Sequence, residues 1–149
     1  MSTEHPILVV EDSDEDFVAT ERVFRKFGSF KLARCSKGTE VLERLTNTAG
    51  EAVGKTRPPS LILLDLNLPG KLDGRSVLTA LKADSRYRRI PVVIVTTSSN
   101  PQDVLHCFEQ GAAGYLIKPV NLEKFVDSVK SLVNYWFETT TLPPQEDFV

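Results

Sequence analysis

Short apolar runs alternate along the chain with longer segments whose apolar residues recur at helical spacing. Three runs, at residues 7–10, 61–64 and 92–95, are uninterrupted, which is typical of strands buried on both faces of a parallel sheet. Two further strands are predicted at residues 30–35 and 114–117. The pattern therefore predicts five strands, each followed by a helix.

The predicted helices are marked by apolar residues at every third or fourth position. Gly28 ends the first stripe and Gly111 ends the fourth. Pro101 suits an early position of the fourth helix, after Ser99 or Asn100. In chain order, the stripe residues are Phe17, Thr20, Val23, Phe24 and Phe27; Val41, Leu42 and Leu45; Val77, Leu78 and Leu81; Val104, Leu105 and Phe108; and Leu122, Phe125, Val126, Val129, Leu132, Val133 and Trp136.

Strands that alternate with helices predict a doubly wound α/β fold, in which helices cover both faces of a parallel sheet. Sheets of this kind carry their binding sites outside the carboxyl ends of the strands, near the switch in strand order. The residues that follow each apolar run are therefore the ones expected to carry chemistry.

The segments outside this pattern are short. Residues 48–60 contain glycines and prolines and are predicted to form an exposed loop that is longer than most. We expect a mobile N-terminus at residues 1–5, one folded domain at residues 6–137 and an acidic tail at residues 138–149. The consecutive aromatic residues 135–137 cannot share one helix face, which leaves two interpretations open: a frayed helix end or a partner-facing patch.

Composition narrows the class of protein. A chain of 149 residues is long enough to bury a core without disulfides, and Cys35 and Cys107 match no disulfide or metal-ligand pattern. The net charge of −2 argues against a nucleic-acid partner. The sequence has no apolar run of roughly 18 residues and no apolar signal segment, so we expect a cytoplasmic protein with no membrane partner.

Ionisable residues follow the predicted strands near the switch point. Glu11 and Asp12 follow the first strand, Asp65 follows the third, and Lys118 follows the fifth. Three carboxylates at one edge repel each other unless a cation neutralises them, and Mg²⁺ prefers such oxygen ligands. With Mg²⁺ and Lys118 the predicted site is neutral. The same two cations would offset the extra charge if Asp65 became an acyl phosphate.

A hydroxyl follows the fourth predicted strand, residues 92–95, at Thr96. It can donate a hydrogen bond to a phosphoryl oxygen, and movement toward that oxygen would pull the following loop. Tyr115 lies three residues before Lys118, and its ring could take a buried or an exposed position according to where Thr96 lies. The pair is therefore predicted to act as a switch that a local charge change biases.

Taken together, these residues resemble the receiver domain of two-component response regulators. The resemblance covers about residues 6–137 and depends on a set of short motifs in a fixed order. They are Glu11-Asp12; residues 63–69, which contain Asp65; Asp73-Gly74; Pro91; Thr96; residues 111–115; and Lys118-Pro119. The resemblance implies a flavodoxin-like fold with five parallel strands in the order 2-1-3-4-5.

The resemblance also implies residue roles and partners. Asp65 looks like the phosphoacceptor for a histidine kinase, and Lys118 like the phosphoryl-binding lysine. Glu11 and Asp12 look like the Mg²⁺-site acids, with the Asn67 backbone carbonyl as a further ligand. The resemblance further implies Thr96 and Tyr115 as the switch pair and a cis bond before Pro119. Slow self-dephosphorylation is expected, without enzyme activity in the metabolic sense.

The sequence departs from the family pattern at three places. Glu11 stands where aspartate is commoner, which leaves open whether it binds the metal directly or through water. The loop between Pro69 and Asp73 has one extra residue, and Thr97 stands where a small residue is usual. A narrower resemblance, to the small response regulators of cyanobacterial phytochromes, implies a light-sensing histidine kinase as donor and a homodimer. It depends on the long loop before the third strand and the aromatic end of the last helix.

Other functions fit the residues less well. A receiver that binds partners without phosphorylation would be expected to lack Asp65, Lys118 or the acidic pair. A phosphohydrolase of the haloacid type would place a second aspartate two residues after the first, where this chain has Asn67. A nucleotide-binding loop at Gly54-Lys55-Thr56 lacks the first glycine of that motif, because position 49 is alanine.

Overall fold

A computed structural model describes residues 5–28, 30–50 and 58–144. It has a five-stranded parallel sheet in the order β2-β1-β3-β4-β5, as predicted. The strands are β1 (His5–Val10), β2 (Phe30–Cys35), β3 (Leu61–Leu64), β4 (Val92–Thr96) and β5 (Gly114–Ile117). The helices are α1 (Asp14–Phe27), α2 (Gly38–Gly50), α3 (Gly74–Ala83), α4 (Pro101–Glu109) and α5 (Leu122–Asn134), and a π-helical turn (Tyr135–Thr139) follows.

The sheet separates two apolar layers, because successive side chains of a strand point to opposite faces. On one face the β1 residues Leu8 and Val10 pack with α2, α3 and α4. On the other face Ile7 and Val9 pack with α1 and α5. The continuous apolar runs of the sequence thus correspond to strands buried on both sides, as predicted.

Side-chain caps fix where the helices begin, and so where the loops at the carboxyl ends of the strands stop. Ser13 accepts a hydrogen bond from the Asp16 amide at the start of α1, and Asp73 accepts one from the Ser76 amide at the start of α3. Asn100 caps α4, and Pro101 is the first residue of that helix, as predicted. The loops that follow β1, β2, β4 and β5 are short, so they hold their side chains at this edge of the sheet, whereas the loop between β3 and α3 is longer and spans residues 65–73.

Two sequence predictions about packing were wrong. In α4 the buried residue is Cys107, whereas Leu105 and Phe108 of the predicted stripe are 60% and 49% exposed. The helix turns this apolar pair outward because its inward contact is made by the small Cys107 side chain, which packs with the core. The exposed loop predicted at residues 48–60 is wrong at its two ends, since α2 continues to Gly50 and Ser60 is buried, while residues 51–57 lie outside the described residues.

Several predictions lie outside the described residues: the mobility of residues 1–4, the Gly54-Lys55-Thr56 segment and the end of the tail from residue 145. Within the described ranges, no helix is long and apolar enough to cross a membrane.

The aromatic residues after α5 lie in an ordered π-helical turn (Tyr135–Thr139) rather than in a frayed helix end. The Phe137 ring lies edge-on to Phe30 of β2 at 4.7 Å and to Phe24 of α1 at 6.1 Å, between ring centroids. Tyr135 stacks edge-on against Trp136 and stays half exposed. Tyr135 therefore stays at the surface, whereas Trp136 and Phe137 pack against the layer of α1 and α5.

A glycine allows α3 to begin directly against the third strand end. A methyl group on Gly74 would collide with the backbone of Asp65 and of Leu66. The Gly74 amide also donates to the Leu66 carbonyl at 2.9 Å. The first turn of α3 is therefore held against the backbone of Asp65.

We expect Gly74→Ala to destabilise the fold by about 2–3 kcal/mol, because the added methyl group meets backbone atoms that cannot move aside without distorting the strand end. Urea unfolding followed by circular dichroism measures this. Gly114→Ala is the matched control, since its methyl group would make ordinary contacts of 3.7 Å or more with Val93. Equal stability losses in the two variants would contradict the close approach at Gly74.

Candidate functional site

Lys118 stands at the centre of a group of acidic side chains at the carboxyl ends of the strands. Its ammonium donates to Glu11 Oε1 at 2.5 Å, to Asp65 Oδ2 at 2.9 Å and to Asp16 Oδ2 at 2.9 Å. The Lys118 side chain is only 6% exposed. The loops after β1, β3 and β5 and the first turn of α1 thus meet around one cation.

Burial and pairing act against each other in this group. Burial raises the pKa of Glu11 to about 7, although the hydrogen bond from Lys118 lowers it. For Lys118, burial lowers the pKa, but the hydrogen bonds to Glu11, Asp16 and Asp65 outweigh it and the pKa is raised. Lys118 is therefore held as a cation beside Glu11, a carboxyl group that burial makes harder to ionise.

The three acids predicted as metal ligands lie together. Oxygen atoms of Glu11, Asp12 and Asp65 all fall within 4.8 Å of one another. Asp12 is exposed, whereas Glu11 and Asp65 are buried, so the group has one side open to solvent. Carboxylate oxygens at this separation are suited to a hard divalent cation that keeps some of its water. The residues present therefore fit a divalent metal.

The backbone fixes the carboxylate of Asp65. Its Oδ1 accepts a hydrogen bond from the Asn67 amide at 3.0 Å, and its own amide donates to the Val10 carbonyl at 3.0 Å. The second oxygen, Oδ2, faces Lys118. Asp65 is 5% exposed, which leaves it accessible on one side only.

The structure places the predicted switch residues in one region but does not join them directly. Thr96 ends β4 and is fully buried, with the Asn67 side-chain amide 3.5 Å from its hydroxyl oxygen. Tyr115 is partly buried, and its hydroxyl donates to the Ser98 carbonyl at 2.9 Å. Both residues therefore contact the loop between β4 and α4. Thr96 stands directly before this loop, and Tyr115 is hydrogen-bonded to Ser98, two residues after Thr96.

A polar network that the sequence analysis missed links α3 to α4. The Arg75 guanidinium donates two hydrogen bonds to the Asp103 carboxylate, both at 2.8 Å. The same carboxylate accepts from the Ser98 hydroxyl at 2.6 Å. The Arg75 hydrogen bonds are the main reason that the pKa of Asp103 is lowered to about 2. Ser98 thus connects this ion pair to Tyr115.

Asp16 was missed as well. Asp16 is the third residue of α1, and the helix dipole alone explains an acid at this position. The sequence around Asp16 therefore gives no sign of its contact with Lys118. With Asp16 the group holds four carboxylates, one negative charge more than the sequence predicted. Arg34 of β2 also approaches: its Nε donates to the Glu11 carbonyl at 3.0 Å, and it pairs with Asp14.

The expected cis bond before Pro119 is wrong for this structure, because no peptide bond in the described ranges is cis. The trans form is the one that a bond before proline intrinsically prefers. In this form the Lys118 amide donates to the Thr96 carbonyl at 2.6 Å while its side chain reaches the acids.

Comparison with known proteins agrees with the fold. The family model of the response regulator receiver domain matches residues 7–130. The chain therefore belongs to the response regulator receiver family, whose members are phosphoacceptor signalling domains rather than metabolic enzymes.

Three relatives are similar over nearly the whole chain. Response regulator Rcp1 of Synechocystis sp. is 40% identical over 138 residues, 92% of each chain. The Mn²⁺-bound structure of a response regulator Rcp1 matches with a TM-score of 0.85 at 36% identity, over 94% of this chain and 99% of that one. The phosphorylated cyanobacterial phytochrome response regulator RcpA gives 0.85 at 34% identity, over 95% and 100%. RPA3017, a response regulator in red light signalling of R. palustris, gives 0.78 at 32%, over 95% and 99%.

The ion pair of Arg75 with Asp103 makes stability depend on pH. Because the folded pKa of Asp103, about 2, lies below its ordinary 3.8, the pair contributes stability that is fully present above about pH 4 and is lost as the pH falls toward 2. We expect Asp103→Asn to lower the free energy of unfolding by about 1 kcal/mol at pH 7, a value limited by solvent screening, and by less at pH 3.

Urea unfolding of both proteins at the two pH values measures this difference. Glu109→Gln removes an exposed acid from the same helix and serves as the control. A difference between wild type and Asp103→Asn that stays constant from pH 7 to pH 3 would contradict the role of the ionised pair.

Proposed function

We propose that Asp65 accepts a phosphoryl group from a histidine kinase. The observation that carries the proposal is the arrangement around Asp65 Oδ2: a buried carboxylate 2.9 Å from the Lys118 ammonium, with Glu11 and Asp12 close enough to share a cation. Membership of the receiver family supports the same role. Residues 6–137 are proposed as the receiver, with residues 138–149 as an acidic tail.

The chemistry proposed for the site is a direct displacement at phosphorus. A carboxylate oxygen of Asp65 attacks the phosphorus atom of the donor, and the bond between phosphorus and the donor's leaving atom breaks. With acetyl phosphate as donor, acetate leaves with the bonding electron pair, so the step needs no oxidant and no proton. Lys118 offsets the charge on the phosphoryl oxygens, which is the main contribution that a protein makes to this reaction.

A magnesium ion is proposed at the acidic group. Glu11, Asp12, Asp65 and the backbone carbonyl of Asn67 would hold it, and the Mn²⁺-bound form of Rcp1 supports a divalent metal in a related protein. When bound, the metal supplies positive charge that stabilises the transferring phosphoryl group. Glu11 has the longer side chain and already contacts Lys118, so its ligand role depends on how far that contact is given up.

Thr96 and Tyr115 are proposed as the switch. The buried Thr96 hydroxyl would donate to a phosphoryl oxygen on Asp65, which would draw in the loop between β4 and α4. The Tyr115 hydroxyl donates a hydrogen bond to the carbonyl of Ser98 in that loop, so the Tyr115 ring would move with the loop. The surface around α4 and β5 would thereby differ between the two states.

The partners are proposed from the relatives. The names of RcpA and of RPA3017 connect them with phytochrome and with red light signalling, which supports a light-sensing histidine kinase as the donor here. A homodimer and a cytoplasmic location are proposed with it, without a nucleic-acid or membrane partner.

Incubation with acetyl phosphate and Mg²⁺ is expected to add one phosphoryl group to the wild-type protein, detected by intact mass spectrometry. Asp65→Asn should remain unmodified, because an amide oxygen is a far weaker nucleophile than a carboxylate. Asp84→Asn removes an acid on the surface, paired with Arg86, and should be modified like the wild type. A chelator should abolish the adduct.

An unmodified wild-type protein that also fails to bind beryllofluoride, a mimic of the acyl phosphate, would overturn the proposal in favour of a receiver that works without phosphorylation. An adduct of equal yield on Asp65→Asn would place the acceptor elsewhere.

Divalent metal is expected to raise the melting temperature, since a ligand that binds only the folded state stabilises it. Mg²⁺ and Mn²⁺ should both do so, and Asp12→Asn should reduce the rise without lowering the metal-free melting temperature, because Asp12 is exposed and its removal relieves repulsion between the acids. Differential scanning fluorimetry measures both values. A rise that is the same in Asp12→Asn as in the wild type would contradict the assigned metal ligands.

A further inference from the structure

All three hydrogen atoms of the Lys118 ammonium have an acidic acceptor. A lysine ammonium has three donors, and Glu11, Asp16 and Asp65 each lie within 2.9 Å of its nitrogen. The Asp16 side chain is 27% exposed, whereas the other two are almost buried. Lys118 is thus held by two buried carboxylates and by one carboxylate that is partly exposed to solvent.

The three acids do not have the same further duties. Glu11 and Asp65 belong to the group whose oxygens lie close enough to share a cation, and Asp16 does not. In the proposed function, Asp65 also gives one oxygen to the phosphoryl bond. A metal and a phosphoryl group would therefore draw charge away from two of the three acceptors. Asp16 is the one that keeps its carboxylate for Lys118.

Asp16 is also held more firmly than an exposed acid usually is. Its amide donates to the capping hydroxyl of Ser13 at 3.2 Å, and its carbonyl accepts from the Thr20 hydroxyl at 2.9 Å. Thr20 is buried in the same helix, and α1 packs on the sheet through Val23 and Phe24. The carboxylate of Asp16 therefore projects from a fixed backbone position.

We propose that Asp16 is a positioning residue, which keeps the Lys118 ammonium beside the phosphoryl position while metal and phosphoryl group occupy the other two acids. The proposal depends on the proposed function of Asp65. It assigns Asp16 no contact with the phosphoryl group; Asp16 acts only through Lys118.

The two possible effects of Asp16 on phosphorylation have opposite signs. If it acts only as a nearby negative charge, its removal makes the approach of an anionic donor easier, and Asp16→Asn and Asp16→Ala become equally fast and faster than the wild type. If it positions Lys118, removal slows the reaction, and asparagine, which keeps an acceptor oxygen at the same place, retains part of the rate. The sign and the order of the variants distinguish the two effects.

The test measures the rate of phosphorylation by acetyl phosphate with saturating Mg²⁺ for wild type, Asp16→Asn, Asp16→Ala and Glu15→Gln. We expect the alanine variant to be slowed roughly tenfold to a hundredfold, the range for a misplaced catalytic group, and the asparagine variant to be intermediate. Glu15→Gln removes an exposed acid from the same helical turn and should match the wild type. Equal or faster rates in both Asp16 variants would overturn the proposal.

A spectroscopic measurement on the complete chain separates positioning from general loss of structure. In the wild type the Lys118 ammonium should give an observable ¹H–¹⁵N signal, because burial and three hydrogen bonds slow its exchange with water. The signal should be lost in Asp16→Ala while the backbone amide spectrum and the unfolding transition stay those of a folded protein. A retained signal with an unchanged rate would overturn the proposal, whereas failure of the wild type to be phosphorylated would overturn the function of Asp65 instead.

Discussion

The candidate site of this protein depends on one buried cation, the Lys118 ammonium, which lies among acidic side chains. Removing an ammonium and several carboxylates from water is costly, and the cost is offset only if each charge has close partners. Lys118 meets that condition through three carboxylates, and no buried side-chain nitrogen or oxygen in the described ranges lacks a hydrogen-bond partner. A parallel sheet makes this possible because all its strands end at the same edge, so residues distant in sequence meet there without bending the strands.

The sheet also divides the site into two sides with different tasks. On the side of α1 and α5, Asp16 and Lys118 hold charge close to Asp65. On the side of α3 and α4, Gly74 brings the first turn of α3 against the Asp65 backbone, and the adjacent Arg75 pairs with Asp103. Two groups therefore lie directly beside Asp65. One is the charge cluster around Lys118, which would respond to a change in the charge of Asp65. The other is the backbone contact with Gly74, from which Arg75 leads to α4.

Much of this could be predicted from the sequence, since the strands show as short apolar runs and the acids and Lys118 directly follow them. The residues that the sequence did not predict make contacts that leave no sign in the neighbouring sequence. Asp16 already has a local explanation as a helix-start acid, and Arg75 and Asp103 are 28 residues apart on separate helices. The stripe in α4 failed for another reason: apolar spacing shows that a helix has an apolar face, but not that this face meets the sheet.

The position of Lys118 in the chain has a consequence for the order of folding. Its partners Glu11 and Asp65 lie 107 and 53 residues earlier, so the cluster closes long loops of the chain. Contacts of this separation are slow to form because loop closure costs entropy before the contact contributes anything. Until β5 joins the sheet, the acids after β1 and β3 repel each other without this counter-charge. The last strand thus supplies a counter-charge for the acids that follow the first and third strands.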